Sequence, residues 1–132
     1  MMNFFLNRNK RKDMLSEEEL LDLRKQAKEY FPQRVAYYAD LLGVHPGRIT
    51  IRCQKTRWGS CSSKGNLNFN CLLMLTPPEV IDSVVVHEVC HLLEMNHSKR
   101  FYEHVYRVYP EYKKHHSWLK KHGPELMARV KR

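Results

Sequence analysis

No long hydrophobic run occurs in these 132 residues: apolar stretches such as Val84-Val85-Val86 fall far short of the ~20 residues that a bilayer requires. The N-terminal residues do not read as a secretory leader either. Met1-Met2-Asn3-Phe4-Phe5-Leu6 is apolar, but no charged n-region precedes it and no small-residue cleavage site follows. These absences predict a cytoplasmic protein without a membrane partner. The four cysteines, Cys53, Cys61, Cys71 and Cys90, include no pair spaced Cys-x-x-Cys, so a structural zinc knuckle has weak support. With no export signal, they are expected to be reduced thiols acting as small buried hydrophobes. Acidic residues are scarce, 14 against 23 Lys and Arg, which leaves a net charge of +9.

What is present is enough for one core. Hydrophobic residues make up 42% of the chain and are spread along most of it, which argues against wholesale disorder. Residues 1–15 read as a basic lead, with Arg8, Lys10, Arg11 and Lys12 clustered, and residues 16–132 as a single domain. The positive charge concentrates late: Lys99 to Arg132 holds ten Lys or Arg against three Glu. Such a basic C-terminal third suits a nucleotide, nucleic acid or acidic protein, or serves only as a solubilising face.

Periodicity and capping divide the chain. Ser16 and Glu19 form a capping box before Leu20, Leu21 and Leu23, opening a helix to about Tyr30. Pro32 should interrupt it, leaving a second short helix that stops at Gly43. In Arg48–Gln54, Ile49, Ile51 and Cys53 alternate with polar residues, as in a half-buried strand. A second strand is expected in Thr56–Ser62, and a third in Asn66–Asn70 after the turn at Ser63-Lys64-Gly65. Together they predict a small antiparallel sheet with Asn68 and Asn70 on its polar face. Thr76 and Glu79 form a second capping box, with Pro77 at the first helical position, so Val84-Val85-Val86 is read as helix despite its β-branching. Ser98 caps another helix through Phe101, Val105 and Val108, and one or two more are expected over Tyr112–Lys121 and Pro124–Val130, with Gly123 between them.

The chemistry concentrates in His87-Glu88-Val89-Cys90-His91. Residues i and i+4 of a helix share a face, so two imidazoles can reach one cation while Glu88 lies beside it. Catalytic zinc takes three protein ligands and keeps a fourth position open. His97 is the candidate third ligand if the chain turns back, and Asn96 tolerates the left-handed conformation such a turn would use. The HExxHxxxxxH spacing matches the metzincin motif, with Glu94 where that motif has glycine. Arg57, Tyr102 and His104 are candidate donors to a developing oxyanion. Trp58 and Gly59 fit either an edge strand that binds extended peptide or a core aromatic and a bulge. His115, His116 and His122 are expected on a solvated surface.

The runs Thr56-Arg57-Trp58-Gly59-Ser60-Cys61-Ser62, Asn66-Leu67-Asn68-Phe69-Asn70, Val84–Leu92 and Asn96-His97-Ser98-Lys99-Arg100-Phe101 resemble the YgjP-like metallopeptidases, relatives of SprT-like and other small zincin domains. The resemblance implies a zincin-like α+β fold, zinc on His87, His91 and His97, and a strand at Trp58–Ser62 beside the metal. The chain departs from the family at Tyr102, where many relatives have Trp, and it begins almost at its first helix.

The function expected is a zinc-dependent metallopeptidase with Glu88 as general base acting on protein or peptide. Two alternatives remain open. One is a metal-dependent nucleoside triphosphate pyrophosphatase, an activity assigned to some relatives. The other is a nucleic-acid-associated SprT-like protease module.

Overall fold

The computed structural model describes residues 14–130. Most of the basic lead read at residues 1–15 therefore lies outside the described residues. Helix α1 runs Glu17–Leu42, strands β1, β2 and β3 are Ile49–Arg52, Gly59–Cys61 and Leu67–Asn70, and a 3-10 turn follows at Cys71–Leu75. Helices α2, Pro78–Cys90, α3, Lys99–Val108, and α4, Tyr112–Met127, complete the chain. The fold is α+β, a small three-stranded sheet packed with four helices among the described residues.

α1 begins where the sequence places it. Ser16 Oγ accepts from Glu19 N at 3.0 Å, and Glu19 Oε1 accepts from Ser16 N at 2.8 Å. It ends at Gly43, whose φ of 71° suits a residue without a Cβ. The expected break at Pro32 does not occur, and one helix of 26 residues passes through it. The core stripe explains why: Leu23, Ala27, Phe31, Val35, Ala39 and Leu42 stay in helical phase across the proline and are all buried. Gln33 Nε2 also donates to the Glu29 carbonyl at 3.2 Å, supplying a donor where proline disturbs the ladder. Phe31 stacks on Phe69 of β3 at 4.5 Å, fixing α1 against the sheet.

The sheet has the order β1-β3-β2, and its expected antiparallel character holds for only one pairing. β2 runs antiparallel to β3, but β1 runs parallel to it. The long connection from β1 through β2 returns β3 in the same direction as β1, a relation that alternation within single strands does not encode. The parallel register pairs Arg52 with Asn70, so the next residues, Cys53 and Cys71, come within 5.3 Å between Cα atoms and form a disulfide. This corrects the expectation of four reduced thiols; Cys61 and Cys90 remain free. Asn70 also departs from its assigned place on a polar face. It is buried, donates to the carbonyls of Gln54 and Arg57, and accepts from Leu72 N, tying together the loop before β2.

Two further helix boundaries differ. α2 starts at Pro78 with no side-chain cap, because Thr76 Oγ1 donates to the Leu73 carbonyl at 2.7 Å and closes the preceding turn instead. α4 runs through Gly123 and Pro124 without a break. At Gly123 the Trp58 ring lies so close that a Cβ would sit 3.1 Å from Cζ2. Trp58 is thus a packing residue between the β2 approach and α4.

α2 packs against α1, α3, α4 and β2, and Val84, Val85, Val86 and Val89 are all buried. Burial on every side outweighs their modest cost in helix propensity. Arg34 of α1 holds Asp82 of α2 through two bonds, Nε–Oδ1 3.0 Å and Nη2–Oδ2 2.8 Å, and Tyr38 donates to Oδ2 at 3.0 Å. Replacing Asp82 with Ala leaves a partly buried guanidinium and a phenol without their acceptor. We expect Asp82→Ala to lose about 2 kcal/mol in denaturant unfolding; a loss below about 0.5 kcal/mol would reduce the pair to a surface contact.

Candidate metal centre

α2 carries His87 and His91 one turn apart, and the chain returns His97 to them across a short turn. The turn needs no left-handed residue: among the described residues no non-glycine has positive φ, so Asn96 does not play the part expected of it. Right-handed turns do the work. Leu92 N, Leu93 N and Glu94 N donate to carbonyls of Val89, Cys90 and Cys90, and α3 then starts at Ser98, whose Oγ accepts from Phe101 N. A chain that turns this way has no use for the metzincin glycine, so Glu94 is tolerated.

The three Nε2 atoms converge. His97 Nε2 lies 2.9 Å from His87 Nε2 and 3.1 Å from His91 Nε2. His91 Nδ1 faces the Glu94 carbonyl at 3.0 Å, and a carbonyl only accepts, so the ring proton sits on Nδ1 and Nε2 presents a lone pair. His87 Nδ1 meets the Tyr112 hydroxyl at 2.7 Å. Burial pushes the His87 imidazole down to about 3, helped by the charges of His116, His91 and His97, and burial also lowers His91. Both rings are therefore neutral near pH 7. His97 has at most one Nε2 proton for two neighbours, so the cluster holds facing lone pairs that repel unless a cation lies among them. Two nitrogens on a tetrahedral zinc at ~2.0–2.1 Å would stand about 3.3 Å apart, near the spacing observed. The donor set fits a divalent metal of borderline softness.

The surroundings hold the rings in place. Phe101 is fully buried beneath them, with ring centroids 5.1, 4.6 and 5.1 Å from His87, His91 and His97. His116 is not the solvated residue expected. Its ring stacks on His87 at 5.3 Å and on Tyr112 at 4.7 Å, Nδ1 meets Ser83 Oγ at 3.2 Å, and burial pushes its pKa down to about 4. Ser83 already donates to the Val80 carbonyl at 2.6 Å, so it accepts from His116. His115 stacks on Tyr109 and His122 lies against Trp118, both half-buried. Tyr112 and His116 support the cluster, yet their spacing from His87 in sequence carries no signal.

Gly59, Ser60, Cys61, Glu88 and Met95 share a cleft of about 230 Å³ with the three histidines. The Glu88 carboxylate makes no hydrogen bond to a described residue, although the residue's main-chain carbonyl accepts from His91 N. Its carboxylate presses on Gly59, where a Cβ would lie 3.1 Å from both Cγ and Oε2. Burial pushes Glu88 up to about 8, with Arg57 pulling it down, and the Cys61 thiol is raised to about 11 by burial and by Glu88. The other sequence candidates divide. Arg57 is exposed but electrostatically coupled to Glu88. Tyr102 lies 6.4 Å from the His97 ring, while Trp58 faces Gly123 and does not line the cleft. His104 is outside the cleft and meets Arg107 at 3.2 Å. Glu94 is directed to Arg100 at 3.9 Å.

Removing one of three donors breaks the convergence, so purified His97→Ala should hold far less metal than wild type by elemental analysis. Full occupancy in that variant would place the third ligand elsewhere, with Glu94 the nearest alternative in sequence.

The chain's similarities agree with this geometry. No curated protein matches it in sequence. Among solved structures, the metallopeptidase zymogen of Pyrococcus abyssi abylysin is similar in fold, with TM-score 0.62 and 22% identity, covering 69% of this chain and 93% of that one. The YgjP-like metallopeptidase domain model matches residues 6–122, which takes in the sheet, the turn and all three histidines. The chain belongs to the YgjP-like metallopeptidase family and is a metal-dependent peptidase.

Proposed function

We propose that residues 16–132 form one zinc peptidase domain, with the ion held by His87, His91 and His97 and Glu88 as general base. The observation that carries this reading is the position of the Glu88 carboxylate, unpaired and pressed on Gly59 at the mouth of the converging imidazoles. A bound divalent ion would supply Lewis acidity, making a water acidic enough to attack near neutral pH. Glu88 takes the proton from the attacking water and returns it to the leaving amine, a role for which a carboxylate beside the three imidazoles is placed. Arg57, electrostatically coupled to Glu88, and Tyr102, 6.4 Å from the His97 ring, are the candidate donors for the developing oxyanion.

The edge of β2 favours an extended peptide as substrate. Asn70 N donates to Trp58 O and Ser62 N to Asn66 O. Antiparallel alternation therefore directs Trp58, Ser60 and Ser62 toward β3, and the main-chain groups of Gly59 and Cys61 toward the open edge at the cleft. A substrate strand added there would run past Glu88. This edge supports a protein or peptide substrate over a nucleoside triphosphate, which has no strand to pair.

Glu88→Gln keeps the shape of the side chain and removes its basicity. The variant should retain zinc and lose cleavage of an unfolded protein by at least about a hundredfold, within the range general-base catalysis contributes. Undiminished proteolysis would remove Glu88 from the chemistry, and metal-dependent nucleotide hydrolysis without proteolysis would replace the substrate class. Gly59→Ala should lower activity about tenfold without metal loss, because the new methyl displaces the carboxylate by a few tenths of an ångström. Unchanged turnover would show that this approach is not needed.

A further inference from the structure

The opposite edge of the sheet carries a second, unassigned groove. A hollow of about 340 Å³ lies between α1 and β1, lined by Arg24, Lys28 and Pro32 on one side and Ile49, Thr50 and Ile51 on the other. Three features of it point to one kind of occupant.

The first is an unsatisfied cation. Arg24 Nε is the one buried side-chain nitrogen or oxygen without a hydrogen-bond partner among the described residues. A buried donor left unpaired costs about 1–3 kcal/mol. Neither Arg24 nor Lys28 forms an ion pair with a described residue.

The second is a strand edge with no partner strand among the described residues. Leu67 N donates to Arg48 O at 2.8 Å, and Ile49 pairs with Leu67 in the parallel register. Arg48, Thr50 and Arg52 therefore turn their main-chain groups to β3, while those of Ile49 and Ile51 face outward. The third is spacing. Arg24 and Lys28 are four residues apart on α1, a rise of about 6 Å, and alternate residues of a strand rise about 6.6 Å. Carboxylates at every second position of an extended strand therefore repeat at nearly the same interval as the two cations.

We infer that the groove between α1 and the free edge of β1 is an exosite for an extended acidic peptide. The peptide pairs its backbone with Ile49 and Ile51 and its carboxylates with Arg24 and Lys28. The groove lies two strand spacings, about 10 Å, from the β2 edge that borders the histidines, so it can hold a second segment of an acidic substrate or partner while the cleft is occupied. A second copy of this chain is a poorer occupant, because edge-to-edge pairing would bring two cationic ladders to one seam.

The test is fluorescence anisotropy of a labelled peptide alternating glutamate and threonine, titrated with the full chain. Binding should weaken about tenfold or more in Arg24→Ala/Lys28→Ala, and by a similar factor when the peptide is N-methylated at alternate residues. It should be unchanged when a short apolar peptide substrate is added to fill the catalytic cleft. No binding, equal binding of the N-methylated peptide, or an unaffected double variant overturns the proposal. So does displacement by the apolar substrate, which would assign the acidic peptide to the catalytic cleft. Tighter binding of a single-stranded oligonucleotide that the double variant abolishes would assign the groove to phosphate, and a dimer abolished by the double variant would assign it to self-association. Because the N-methylated probe needs no substitution, the test survives a variant that fails to fold.

Discussion

Three imidazole nitrogens aimed at one point are the constraint on which the rest of this structure depends. Without a cation among them their lone pairs repel, so the fold must hold the rings together by other means. The Glu94 carbonyl fixes one ring, the Tyr112 hydroxyl meets another, and Phe101 lies beneath all three. Orienting partners of this kind set the tautomer and keep ligand lone pairs directed inward. A divalent ion held by all three rings would couple metal binding to the geometry of the site.

The architecture follows from that need. α2 carries two of the three converging histidines and Glu88 in fixed relation, and it is surrounded by α1, α3, α4 and β2. The Arg34–Asp82–Tyr38 cluster fixes α1 on α2, and Phe31 stacked on Phe69 fixes α1 on the sheet. The sheet in turn presents β2 with its free edge at the cleft and glycine where the carboxylate needs room. Site and scaffold are joined by short packing contacts.

Much of the site was legible because its signals are local. The i, i+4 spacing of His87 and His91, the adjacent Glu88 and the cap at Ser98 are each fixed within one turn of backbone. What the sequence hid depends on tertiary context. Pro32 and Gly123 look like breaks, yet a stripe of buried residues carries one helix past the first and a Trp58 ring accounts for the second. Asn70 looks like a solvated strand residue, but three main-chain groups converge on it. His116 and Tyr112 sit on a helix far along the chain, and only the packing of α4 against α2 brings them behind His87. The turn to His97 was expected from its end point, while its right-handed construction was not. Parallel pairing of β1 with β3, and the Cys53–Cys71 bond it enables, lie beyond any periodicity.

The most direct test of the account is X-ray absorption at the zinc edge on the purified, metal-loaded protein. One zinc per chain with three imidazole nitrogens at about 2.0–2.1 Å and a lighter oxygen neighbour is the predicted result. A sulfur shell at about 2.3 Å, which would bring in a cysteine such as Cys61, or a protein that takes up no metal at all, would contradict it.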